Sequence, residues 1–128
     1  MMRSFEARGD CFVSDEPLYA HYLKETQIPH PGFDEVVSSQ PTDWRTVVQD
    51  LRHGNPDGKA IWYQKHMTHH LLPCIDRSWM RDVRHCFLIR SPVDVLSSYA
   101  RTRHSVTLQD LGFEEQAEIY HYVRETLG

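Results

Sequence analysis

Residues 85–99 contain the side chains best suited to bind an anion. Residues 86–89 (Cys-Phe-Leu-Ile) form a short apolar run, which predicts a strand buried on both faces. Ser91 is a good N-cap, and Pro92 suits the first position of a helix. Arg90 is therefore expected at the carboxyl end of a strand, where open α/β sheets bind their ligands. Its planar fork of donors matches a phosphate.

Ser98 is expected to face the same place from the helix that follows. Helix positions seven apart share a face, so Ser91 and Ser98 stack on one side. An arginine at the strand end and a hydroxyl on that face suit one shared anion. The alternative is that Arg90 pairs with a carboxylate and the serines are small packing residues. It stays open because short motifs are easily matched by chance.

Two other apolar runs are followed by residues that could take part in chemistry. Residues 60–64 predict a strand followed by Lys65 and His66, and residues 11–14 predict one followed by Glu16 in a Glu-Pro turn. The lysine could neutralise negative charge, and a carboxylate or an imidazole could accept a proton. The alternatives are that Glu16 is a carboxylate at a helix N-terminus and that Lys65 is a solvated strand end.

Strand and helix signals alternate along the chain, which predicts an α/β fold with parallel strands. Hydrophobic residues make up 40% of the chain and charged residues 25%, as in one globular, soluble unit. Thr42 is expected to cap one helix. Helices are predicted at residues 1–9, 17–24, 43–53, 92–103 and 113–127.

Composition and motifs argue against several classes of protein. The net charge of −4 and the lack of a basic patch argue against nucleic-acid binding. The sequence has neither a signal-peptide pattern nor an apolar stretch of membrane-spanning length. The cysteines form no C-x-x-C pair, which favours reduced thiols in a cytoplasmic protein. His66 and His70 have chelating spacing, but they lack a persuasive third ligand, so no metal is expected.

Taken together, these segments resemble the sulfotransferase family. Arg90 and Ser98 resemble the segment of this family that binds the 3′-phosphate of 3′-phosphoadenosine 5′-phosphosulfate. Lys65 with His66 resembles the family's strand that ends in lysine with a histidine nearby. Glu16 resembles the catalytic base of members that have a strand followed by a Glu-Pro turn. Within that family, the chain resembles the bacterial sulfotransferase-like group, which is also found fused to aminotransferase-like domains in plants.

The resemblance implies a three-layer fold with a mostly parallel sheet, of the phosphate-loop NTPase type. It also implies transfer of a sulfuryl group from 3′-phosphoadenosine 5′-phosphosulfate, as co-substrate, to a hydroxyl or amine of an unidentified small molecule. Arg90 and Ser98 would anchor the 3′-phosphate of this donor. Lys65 would neutralise charge on the bridging oxygen of the leaving group.

The resemblance leaves two candidates for the general base. Glu16 has the better local match, in its Glu-Pro turn. His66 is the rival, since a free imidazole titrates near neutrality. The residue two after Lys65 is Met67, where the cytosolic Lys-Thr-His pattern has histidine, so Glu16 is preferred.

A glycine-rich phosphate loop is missing from the sequence. Residues 1–9 resemble the helix that follows this loop in the family, and residues 113–127 form a helix pattern with no strand after it. We therefore expect an internal fragment, a single partial domain over residues 1–128 that is inactive alone. The alternative is a complete small domain. The resemblance places the absent strand between residues 60–64 and residues 86–89.

Two other function classes are also compatible with the sequence. One is a nucleotide kinase-like protein, in which Arg90 would grip a different phosphate. The other is a non-catalytic phosphate-binding protein, because a fold does not fix a function. The sequence identifies neither the acceptor nor the oligomeric state.

Overall fold

The computed structural model describes residues 1–54, 56–101, 107 and 111–128. It divides into two compact units, Met1–Trp79 and Met80–Gly128. The strands are β1 (Cys11–Asp15) and β2 (Ile61–Lys65). The α-helices are α1 (Met2–Glu6), α2 (Tyr19–Thr26), α3 (Phe33–Ser39), α4 (Trp44–His53), α5 (Pro92–Ala100) and α6 (Phe113–Tyr122). Short helical turns lie at Pro56–Gly58, Thr68–His70, Ser78–Asp82 and Val123–Leu127. None of the helices in these residues combines the length and apolar character needed to cross a bilayer.

The sheet of the first unit consists of β1 and β2, which pair in parallel. Their register runs from Cys11 opposite Ile61 to Asp15 opposite Lys65. The sequence predicted both strands to within one residue, and it predicted their parallel pairing. Helices α2, α3 and α4 connect the strands, because parallel neighbours need a long crossover. The chain therefore has a mixed α/β fold with a small parallel sheet.

Helix α4 illustrates how the sequence sets a helix and its ends. Val47, Val48 and Leu51 recur at helical spacing and are all buried. The helix is capped by Asp43, whose carboxylate accepts a hydrogen bond from the backbone N–H of Arg45 at 3.0 Å. The prediction of Thr42 as the cap was wrong by one residue. Both residue types make good N-caps, so the sequence alone did not decide between them.

Aromatic side chains fix the helices of the first unit against its sheet. Phe5 of α1 stacks on Tyr63 of β2, with ring centroids 4.3 Å apart. At the end of α4, a Cβ atom on Gly54 would lie 2.9 Å from the Trp62 ring, so the backbone approaches β2 closely. The Trp62 indole N–H also donates to the Ser14 hydroxyl at 2.8 Å, which joins the two strands.

Residues 86–89 do not form the predicted buried strand. Leu88 is 61% exposed and Ile89 is 87% exposed, and Cys86 is exposed as well. The Leu88 carbonyl accepts its hydrogen bond from the side-chain amide of Gln116 at 3.0 Å. A strand needs a neighbour for its backbone N–H and C=O groups, and none of the described residues supplies one here. The apolar run therefore predicted a strand without specifying its partner.

Helix α5 begins where the sequence predicted, with Ser91 at the N-cap and Pro92 at the first helical position. Every side chain of this helix is exposed or half-buried, including the apolar Val93 and Leu96. Residues 102 and 103, the predicted end of this helix, lie outside the described residues. Helix α6 follows Gly112, as expected.

Candidate functional site

Lys65 is held between two carboxylates at the edge of the sheet where both strands end. Its Nζ atom lies 2.6 Å from Glu16 Oε1 and 2.7 Å from Asp15 Oδ1. Asp15 is the cross-strand partner of Lys65, and Glu16 follows directly after β1. Because parallel strands end at the same edge, the fold brings these three charges together without any long side-chain reach. We call them the Asp15–Lys65–Glu16 triad.

The backbone fixes the position of Glu16 within the triad. Its φ of 50° lies in the left-handed region, which is uncommon for a residue with a long side chain. Its N–H donates to the Lys65 carbonyl at 2.8 Å, and its own carbonyl accepts from the Tyr19 N–H at 2.9 Å. Non-glycine residues in this region occur mostly where the surroundings hold them, often at functional sites. The Glu-Pro turn that the sequence predicted is therefore a fixed feature of the strand end.

Electrostatics keep Lys65 charged. Partial burial lowers the pKa of Lys65, but the hydrogen bonds that it donates to Asp15 and Glu16 and the charges of these carboxylates raise it by more, so the pKa lies above its ordinary value. One ammonium faces two carboxylates, so the triad carries a formal charge of −1. The Glu16 side chain is the least exposed of the three, at 25%. A proton acceptor and a cation thus lie side by side at one strand end.

His66, the other candidate base, contacts different residues. Its Nε2 atom lies 3.3 Å from Gln64 Oε1, and its ring centroid is 5.8 Å from that of Trp79. The imidazole is half-buried. The structure thus joins the predicted Lys65 and Glu16 in one ion pair and places His66 beside the indole of Trp79.

Asp15 is the member of the triad that the sequence analysis missed. The predicted strand ended at Ser14, one residue too early, so the register with Lys65 was not apparent. Two consecutive acids at a strand's carboxyl end, with a lysine ending the next strand, were the available signal.

A cluster of aromatic rings lies on the segments that follow the two strands. His70 stacks on Tyr19 at 5.0 Å between centroids and lies 4.7 Å from the ring of Tyr22. His69 packs against both Tyr22 and His70. Burial, and to a lesser extent the positive charges of nearby imidazoles and Lys65, lower the pKa of His70 to about 3. The His70 ring is therefore neutral at physiological pH.

The two predicted phosphate anchors belong to the second unit. Arg90 is exposed and lies two residues before the start of α5, and Ser98 is exposed on that helix, two turns after the N-cap Ser91. No ion pair of Arg90 occurs among the described residues, so they give no support to the alternative in which it pairs with a carboxylate. Within the same part of the chain, no three His, Cys, Asp or Glu side chains meet as metal ligands.

The chain is similar in sequence to one protein-family model and to two plant proteins. A model of the family described as sulfotransferase domain matches residues 1–127. Two proteins of Arabidopsis thaliana are each 36% identical to this chain over 120 residues: branched-chain-amino-acid aminotransferase-like proteins 1 and 2. The aligned region covers 94% of this chain but only 21% of each relative, so the chain spans about a fifth of their length. No solved structure gives a significant match. The chain belongs to the sulfotransferase domain family.

Proposed function

We propose that this chain carries part of the catalytic site of a sulfotransferase that uses 3′-phosphoadenosine 5′-phosphosulfate. The acceptor is a hydroxyl or amine of a small molecule. The observation that carries the proposal is the 2.6 Å contact between Lys65 Nζ and Glu16 Oε1 where two parallel strands end. Membership of the sulfotransferase domain family supports sulfuryl rather than phosphoryl transfer.

Each member of the ion pair has a role in this reaction. The acceptor atom attacks sulfur while the bond between sulfur and the bridging oxygen of the donor breaks. The Glu16 carboxylate takes the acceptor's proton, and the Lys65 ammonium offsets the charge that develops on the leaving oxygen. His66 is the alternative base, because it follows Lys65 directly in the chain.

Arg90 and Ser98 hold the donor in this proposal. A guanidinium is always charged and presents paired donors that match a phosphate. Its exposure leaves it accessible to the 3′-phosphate, and the Ser98 hydroxyl supplies a further donor from α5. These residues position the donor and take no part in bond breaking.

We also propose that residues 1–128 belong to one three-layer α/β domain in a cytoplasmic protein. Successive side chains of a strand point to opposite faces of the sheet. Phe5 of α1 contacts Tyr63, whereas Gly54 at the end of α4 contacts the adjacent Trp62. Helices on opposite faces of the sheet support a layered arrangement. The free cysteines accord with a cytoplasmic location.

A lysine substitution tests the proposed function. The assay uses the full-length gene product. It measures transfer of radiolabelled sulfate from the donor to small molecules of a cell extract. Lys65→Met is expected to lower transfer by about 10²–10³-fold, the scale for losing one donor that stabilises transition-state charge. Lys59→Met is the matched control, because Lys59 precedes β2 and donates to the Gly9 carbonyl. Transfer that survives Lys65→Met, or binding of ATP in preference to adenosine 3′,5′-bisphosphate, would overturn the proposal.

A further inference from the structure

Away from the triad, a cysteine and a histidine of the first unit lie against each other. Cys74 is an exposed free thiol, whereas His21 on α2 is only 4% exposed. The Cys74 Sγ atom lies 3.9 Å from His21 Nε2, and the other ring nitrogen of His21, Nδ1, lies 3.0 Å from the carbonyl oxygen of Thr42. An accessible thiol is thus paired with an imidazole that the fold holds in place.

The carbonyl of Thr42 determines which nitrogen of His21 carries the proton. A carbonyl oxygen only accepts hydrogen bonds, so Nδ1 of the neutral ring must be the donor. Nε2 then has a free lone pair directed at the Cys74 sulfur. This is the arrangement in which an imidazole takes the proton of a thiol, and the thiolate is the reactive form of cysteine.

The thiol opens into a pocket that could admit a small molecule. The pocket has a volume of about 470 Å³. Lys24 and Arg45 supply two cations to its wall, and Glu25 and Asp43 supply two anions. Because these charges balance, the pocket selects for neither sign and suits a compound that carries both, as glutathione does.

We propose that Cys74 is an activated thiol that undergoes exchange with a small disulfide of the oxidised-glutathione class, with His21 as its base. The Cys74 proton passes to His21 Nε2, and the thiolate attacks one sulfur of the disulfide. The disulfide's S–S bond breaks as a new S–S bond forms to Cys74, and the departing thiolate recovers the proton from His21. This site is separate from the proposed sulfuryl-transfer chemistry and does not depend on it.

Cys86 provides an internal control in the same chain. It is also an exposed free thiol. The imidazole next to it in sequence, His85, uses Nε2 to bond the Met80 carbonyl at 2.7 Å. Exposure alone would make Cys74 and Cys86 react alike, whereas a paired imidazole favours Cys74.

The test compares labelling rates of Cys74 and Cys86 in the full chain. An ordinary thiol is only about 1% ionised at pH 6.5, so a thiol with a base beside it should react with iodoacetamide about tenfold faster. Oxidised glutathione should likewise form its mixed disulfide at Cys74 first, as located by peptide mass spectrometry. Equal rates at the two cysteines would overturn the proposal.

A substitution then tests the role of His21. His21→Gln should bring the Cys74 rate down to that of Cys86 and leave Cys86 unchanged, whereas the exposed His53→Gln should alter neither. An unchanged Cys74 rate in a folded His21→Gln chain contradicts the assignment. If that variant does not fold, the ratio of the Cys74 and Cys86 labelling rates in the natural chain decides. A ratio near one would reject the proposal.

Discussion

At the scale of single residues, the Asp15–Lys65–Glu16 triad explains how one lysine can serve two acids. Lys65 binds both carboxylates at nearly equal distance, 2.6 Å and 2.7 Å, so its position does not depend on either acid alone. If Glu16 accepts a proton during turnover, Asp15 still holds the ammonium in place. The cation is thereby kept beside the reacting atoms throughout the proposed reaction.

The first prediction separates the candidate bases. Glu16→Gln should lower turnover by about 10²–10⁴-fold, the scale for removing a general base, because the amide cannot accept the acceptor's proton. Binding of adenosine 3′,5′-bisphosphate should stay close to normal, since Arg90 and Ser98 are the residues proposed to hold the donor. Both effects are measured on the full-length gene product. Steady-state kinetics gives the loss of turnover, and calorimetric titration gives the binding of the bisphosphate.

Two matched variants accompany this substitution. Asp15→Asn removes the other carboxylate of the triad and should cost less turnover than Glu16→Gln. His66→Gln should also cost less. A larger loss for His66→Gln than for Glu16→Gln would move the base to the residue after Lys65.

The second prediction concerns the donor anchor. Arg90→Ala should weaken the binding of adenosine 3′,5′-bisphosphate by about 1.5–3 kcal/mol, the scale for a hydrogen bond to a charged group. Adenosine 5′-monophosphate, which lacks the 3′-phosphate, should bind almost equally well to both proteins. Arg84→Ala is the control, because Arg84 is also exposed and lies six residues upstream. Equal losses for the two nucleotides would show that Arg90 does not bind the 3′-phosphate.

At the scale of elements, the close approach of α4 to β2 depends on the lack of a side chain at Gly54. The φ of this residue is −68°, which any residue adopts, so space and not conformation demands glycine. A Cβ atom there would lie 2.6 Å from the Asp50 carbonyl oxygen and 2.9 Å from the Trp62 ring. The carbonyl belongs to the helix backbone and cannot move aside cheaply.

The third prediction follows from this contact. Gly54→Ala should destabilise the protein by about 1–3 kcal/mol, as overpacking typically does, although alanine is otherwise the better residue near a helix. The urea-unfolding midpoint measures the loss. His53→Ala, at the exposed neighbouring position, should have little effect. An unchanged midpoint for Gly54→Ala would show that α4 and β2 are not held this closely.

The elements also show what the sequence could and could not predict. Local patterns located β1, β2 and α4, because apolar runs, helical spacing and capping residues act within a few positions. They failed at residues 86–89, since a strand is defined by a neighbour that the local pattern does not contain. In the same way, Glu16 and Lys65 could be found from motifs, whereas the cross-strand position of Asp15 required the register.

At the scale of the whole molecule, buried apolar side chains are unevenly distributed between the two units. Ten of the twelve buried hydrophobic residues in the described chain lie in Met1–Trp79. A hydrophobic core therefore stabilises the first unit. The packed rings of His70, Tyr19 and Tyr22 contribute to this stability. A buried imidazole makes that stability depend on pH.

The fourth prediction gives the sign of this dependence. The pKa of His70 falls from 6.5 to about 3 on folding, so the unfolded chain binds a proton that the folded chain does not between these values. The contribution of His70 to stability is therefore complete above pH 6.5 and is lost as the pH falls. Between pH 7.5 and pH 5 the free energy of unfolding should decrease by about 2 kcal/mol from this residue alone.

A variant isolates the contribution of His70 from the other groups that titrate in this range. His70→Phe keeps a flat ring between Tyr19 and Tyr22 and removes the titration, so its unfolding free energy should fall by about 2 kcal/mol less than that of the natural protein over the same pH interval. His53→Phe, at an exposed position, should leave the pH dependence unchanged. Urea-unfolding curves at pH 7.5 and pH 5 measure all three proteins. If His70→Phe loses as much stability on acidification as the natural protein does, His70 is not held neutral by burial, and the acid sensitivity of the first unit must come from its other titratable groups.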